Sequence, residues 1–116
     1  MEEIVWLLLN DCCFSIVSKD CARDELLVRA RRKGDIEKVF PKAKVKRSPK
    51  ADYLYRARVK KAAVKEAIAG ELDRVTYGNF KSSVTDAKLH AAYLRVWGNL
   101  GPLQENWDDW PMFKEF

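Results

Sequence analysis

Histidine, cysteine and long apolar runs are all scarce in this 116-residue chain, and each scarcity removes a class of function. His90 is the single histidine, and the cysteines are Cys12, Cys13 and Cys21. No second cluster completes a metal-ligand spacing, so neither a metal nor another cofactor is expected. An odd number of cysteines, two of them adjacent, is not a disulfide framework, and buried unpaired thiols are the expectation. A Cys–His nucleophilic pair assembled by the fold is the sharper alternative. The longest apolar run, Ile4 to Leu9, is far too short to span a bilayer. Glu2 and Glu3 stand where a secretion signal would need Lys or Arg, which predicts a cytoplasmic protein without a membrane partner.

Acidic residues are also scarce in one stretch. From Leu26 to Lys61 there are 14 Lys or Arg against Asp35, Glu37 and Asp52, a net of +11. The remainder carries 8 basic and 14 acidic residues, net −6, and the two sum to the overall +5. The positive charge is therefore one block, and such a block attracts a polyanion or an acidic protein surface. At 47% apolar the chain can build one core. The length and pattern predict a single α+β domain over 1–100 and an aromatic, acidic tail over 101–116.

Periodicity places the elements. Ile4 to Leu9 and Phe14 to Val17 read as strands around an Asn10-Asp11 turn. Leu26 to Arg32 alternates, with Leu26, Val28 and Ala30 on one face and Leu27, Arg29 and Arg31 on the other. Gly34-Asp35 opens a short helix through Phe40, with Asp35 expected to cap it, and Pro41 ends it. Lys44 to Arg47 and Tyr53 to Val59 read as a hairpin. In its second arm Tyr53, Tyr55, Ala57 and Val59 oppose Leu54, Arg56 and Arg58. Lys60 to Val75 is an amphipathic helix with Val64, Ala67, Ile68, Leu72 and Val75 as its stripe. Tyr77 to Phe80 reads as a loop that plugs Tyr77 and Phe80 into the core. Ser83 with Asp86 resembles a capping box for a last helix. The order β-β-β-α-β-β-α-α predicts an antiparallel or mixed sheet of about five strands with helices packed on one face.

Several blocks taken together resemble a family of small proteins of bacteria and their phages. They are Trp6 with Asn10, Phe14 to Val17, Leu26 to Arg31, Lys33 to Pro41, Asp52-Tyr53 with Tyr55 to Arg58, and Tyr77 to Val84 followed by His90, Tyr93 and Val96-Trp97. They cover roughly residues 4 to 97. The resemblance implies a setting, mobile elements and phages, in which small accessory proteins often inhibit host defence.

These readings converge on a non-catalytic binding protein. Arg29, Arg31, Arg56, Arg58, Lys44 and Lys46 are the candidate basic face, because guanidinium forks grip phosphates and carboxylates alike. An RNA-recognition sheet fits less well, since Tyr53 and Tyr55 alternate away from the arginines and leave no stacking platform. Trp107, Trp110 and Phe113 form a candidate tail interface; the alternative is that the tail docks on the body of its own domain with its acids toward the basic block. The setting points to an inhibitor of a host nucleoprotein defence complex, anti-CRISPR-like, using the basic face or the tail, with that complex or an acidic protein surface as partner. The net positive charge argues against a DNA mimic. One alternative is a nucleic-acid-binding accessory protein. The other is a small enzyme centred on His90, with Asp86 one turn away and Asn79 or Lys81 assisting.

Overall fold

Alternating apolar and charged residues build a five-stranded antiparallel sheet in the computed structural model, which describes residues 4–109. The strands are β1 (Ile4–Leu8), β2 (Cys13–Val17), β3 (Glu25–Ala30), β4 (Lys46–Arg47) and β5 (Tyr55–Lys60). Helix α1 (Asp35–Val39) follows β3, and α2 (Lys61–Asp73) continues directly from β5. The sheet order is β1-β2-β3-β5-β4, with every neighbouring pair antiparallel. The chain divides between Thr76 and Tyr77 into two compact units.

The first unit holds the sheet. Register puts Val28 beside Ile16 and Ala57, and Leu7 beside Phe14. These residues face α1 and α2, and together with Cys12, Ala30, Ile36, Phe40 and Val64 they make the core. Phe14 and Phe40 meet edge-on with ring centroids 5.8 Å apart, a favoured aromatic geometry. The predicted stripe of α2 is shorter than expected. Val64, Ala67 and Ile68 pack on the core, whereas Leu72 and Val75 are exposed and Val75 lies past the helix end. The core-facing part of the helix thus ends at Ile68.

Asp35 does not cap α1. Gly34 occupies the N-cap position at φ 91°, a left-handed conformation that suits glycine. Asp35 is instead inside the helix and buried, accepting the Cys13 N–H (3.2 Å) and both a Nε and a Nη2 proton of Arg32 (3.3 and 3.1 Å). It clamps α1 to the start of β2. Arg32 and Lys38 also donate to the Asp11 carbonyl, at 3.3 and 2.7 Å. Part of the basic block is therefore spent on holding one corner of the fold.

The second unit holds α3 (Phe80–Ser83), α4 (Ala87–Leu100) and 3-10 turns at Gly101–Leu103 and Trp107–Asp109. The segment expected to be a loop is thus partly helical. Asn79 Oδ1 accepts the Ser82 N–H at 3.1 Å and caps α3. The capping box sits differently from its sequence reading. Asp86 is itself the N-cap of α4, accepting the Leu89 N–H at 2.8 Å, while the Ser83 hydroxyl donates to the Phe80 carbonyl at the end of α3. Asp86 replaces Ser83 because three non-helical residues, Val84 to Asp86, separate the helices.

Phe80 stacks on Tyr93 and leans on Tyr77, with centroids 5.6 and 5.9 Å apart. The tail begins by folding back within this unit, where Trp107 meets Trp97 edge-on at 5.3 Å. Gly101 makes room for that ring, since a Cβ there would stand 2.3 Å from Trp107. Gly101→Ala should displace the Trp107 ring at a cost of about 1–3 kcal/mol. The near-UV circular dichroism of the tryptophan pair should fall while the far-UV spectrum holds. Trp110 and Phe113, the rest of the candidate tail interface, lie outside the described residues.

Candidate polyanion-binding site

Strand register puts Arg29, Arg56, Arg58 and Lys46 on one face of the sheet, opposite the core. One row across it reads Trp6, Ser15, Arg29, Arg56, Lys46. The next reads Val17, Leu27, Arg58. The alternation read from the sequence thus holds for Leu27, Arg29, Arg56 and Arg58.

The face is not uniformly solvated, and Arg29 departs most from expectation. It is only 6% exposed, and Ser15, Val17 and Leu27 beside it are buried as well. Its Nε and Nη2 donate to Ser15 Oγ at 3.0 and 2.9 Å. Its guanidinium also lies 4.6 Å from the centroid of the Tyr53 ring, and Arg31 lies 4.2 Å from the same ring. Tyr53 therefore does not alternate away from the arginines. It precedes β5 in a bend, so the two-residue period does not govern it, and it turns onto their face. Cation–π contact of this kind holds guanidiniums in place. Arg29 is part of the scaffold rather than a free grip, whereas Arg31 is exposed and touches the same ring from the surface.

The accessible cations gather toward the β4–β5 edge. Lys44, Lys46, Arg56 and Arg58 line an open cleft of ≈ 610 Å³, with Asp20, Glu25, Leu27 and Ser48 also on its wall. Four positive groups face two negative ones. Arg58 Nε donates to the Asp20 carbonyl at 2.5 Å, and Arg56 is held by the Tyr53 carbonyl at 3.4 Å and by Asp52 at 3.5 Å. Both guanidiniums are thereby oriented while keeping further N–H donors for a ligand. A second cleft of ≈ 560 Å³ shares Ser48 and Arg56 with the first and adds Pro49, Lys50 and Ala51. The pair follows the hairpin, whose turn is closed by Ser48 N–H to the Leu54 carbonyl at 2.6 Å. Lys60, next along β5, is tied instead to Asp24 at 2.8 Å; that hydrogen bond raises the Lys60 pKa and lowers that of Asp24. The pair is fully exposed and acts as a surface contact.

Sequence reasoning missed two aromatics of this face. Trp6 shares the row of Arg29 and Arg56 and is 70% exposed on edge strand β1. Its uninterrupted apolar neighbours hid the alternation that would have assigned it. Tyr53 was missed because strand periodicity was carried past the strand's true start.

The residues around His90 also have places in the second unit. Asn79 and Asp86 cap helices, Lys81 Nζ sits 5.3 Å over the Trp97 ring, and the His90 N–H closes the first turn of α4 on the Asp86 carbonyl at 2.8 Å. No disulfide joins Cys12, Cys13 and Cys21, of which Cys12 is buried and the other two half-buried. Burial, reinforced by Asp11 and Asp35, pushes the Cys12 thiol up to about 12, so it stays protonated and a poor nucleophile. Among the described residues, no group of three or more His, Cys, Asp or Glu is placed to hold a metal ion. No described helix is long and apolar enough to cross a membrane.

Comparison of the chain with protein-family models, with curated proteins and with solved structures finds no match.

Proposed function

We propose that this protein works by binding, and that the β4–β5 hairpin clefts take the phosphate backbone of a nucleic acid. The convergence of Lys44, Lys46, Arg56 and Arg58 on one open cleft carries the reading. Two joined clefts along a hairpin suit an extended anion better than a compact one. Arg56 and Arg58 supply planar forks for phosphate oxygens, and the lysines supply mobile point charges. With the setting that the resemblance to phage proteins implies, the target we infer is a host nucleoprotein complex, which the protein would inhibit by competing for its nucleic acid.

Titration of a fluorescent single-stranded oligonucleotide over a salt series tests the binding step. Three or four phosphate contacts predict a slope of log affinity against log salt of roughly −2 to −3, from about 0.7 per contact. Binding that ignores salt, or none at low salt, would sink the proposal. Saturable capture of an acidic protein with no oligonucleotide binding would move the cleft's role to a protein surface.

A further inference from the structure

We propose that β1 is the seam of a homodimer, in which β1 strands of two copies pair antiparallel and join two sheets into one. The two edges of this sheet are built in opposite ways. Edge strand β4 is two residues long, Lys46–Arg47, and both are exposed. A short, charged edge resists strand addition. Edge strand β1 is five residues long, Ile-Val-Trp-Leu-Leu, with neither charge nor proline. Its Val5 and Trp6 are 53% and 70% exposed. β1 pairs with β2 on one side only, and its other side faces no strand among the described residues. Long, apolar, unprotected edges template pairing with another chain.

Self-complementarity selects a second copy of this chain as the occupant. Antiparallel pairing about a two-fold axis at Trp6 sets Trp6 against Trp6, Val5 against Leu7 and Ile4 against Leu8. Every opposed pair is apolar, and the two large indoles sit directly across from each other, where cross-strand aromatic pairs stabilise a sheet. Charge supports the same choice. The cationic clefts lie toward the far edge of the sheet, and four strand spacings of about 4.8 Å separate β1 from β4. A β1 seam therefore keeps the like-charged halves of the two copies well apart. A β4 seam would set Lys46 and Arg47 against their own copies. The symmetric contact also closes after two copies, as a two-fold interface must.

Sedimentation of the full chain across a concentration series should show twice the monomer mass. Trp6→Lys places a charge opposite itself and should give a monomer with an unchanged far-UV spectrum. Leu100→Lys, at an exposed apolar position on α4, should stay dimeric. A cysteine scan reads the register even if Trp6→Lys fails to fold. Under mild oxidation Trp6→Cys should cross-link across the axis far faster than Val5→Cys, whose counterpart is Leu7 rather than itself, and faster than the parent with its native thiols. A parent chain that remains monomeric at about 100 μM overturns the proposal. So does a folded Trp6→Lys that is still dimeric, and so does equal cross-linking from positions 5 and 6.

Discussion

Arg29→Glu should strongly destabilise the first unit, although the sequence alone presents Arg29 as a solvated grip. The side chain is buried between β2 and the Tyr53 ring, and both its Nε and Nη2 are committed to Ser15. Glutamate at that position has no donors for Ser15 Oγ and turns the cation–π contact into repulsion between a carboxylate and the ring face. Breaking a buried, hydrogen-bonded charge costs about 3–5 kcal/mol, against a total stability of about 5–15 kcal/mol for an ordinary domain. At about 4–8 °C per kcal/mol for a unit of this size, the melting temperature should drop by at least 12 °C. Arg29→Met keeps the packing stem and should fall less. Thermal denaturation followed by circular dichroism decides the matter, and a glutamate variant melting within about 3 °C of the parent would show Arg29 to be a surface residue after all.

That contrast marks where the sequence was readable. Alternation across Leu26 to Ala30 and Tyr55 to Val59 set which residues meet the helices, and the observed register of Val28 with Ala57 agrees. The hairpin, α1 and α2 were legible for the same reason, since each rests on a local period or a turn residue. The depth at which a charged residue sits was not legible. Arg29 and Arg56 occupy neighbouring positions in one row and have the same side chain, yet only Arg56 lines a cleft. What separates them is Tyr53, which reaches Arg29 from a bend that no period describes. Asp35 was misassigned similarly. An acid at the start of a helix normally caps it, but here Gly34 takes the cap and Cys13, distant in sequence, supplies the N–H that Asp35 accepts. The edge character of β1 was equally hidden, because an apolar run reads alike in a central strand and at a border. Partners distant in sequence thus decided the roles of Arg29 and Asp35.

The largest functional effect should come from reversing Lys46 and Arg58 together to glutamate. Both side chains are exposed on the cleft wall, so the fold should tolerate the change, with a small cost for releasing the Asp20 carbonyl that Arg58 holds. The cleft's ionic balance moves from four positive and two negative groups to two and four, which reverses the sign it presents to a phosphate. A hydrogen bond to a charged group contributes about 1.5–3 kcal/mol, and each 1.4 kcal/mol is tenfold in affinity. Losing two should weaken oligonucleotide binding by at least ~100-fold. The salt slope should flatten by about 1.4, the share of two single-strand phosphate contacts. Net charge alone is controlled by Lys33→Glu with Lys65→Glu, two exposed sites outside both clefts that change the total by the same amount. That control should lose only a few-fold and keep its slope. If the control falls as far as the cleft variant, binding follows overall charge and the hairpin is no site. If neither falls, the basic block serves solubility alone.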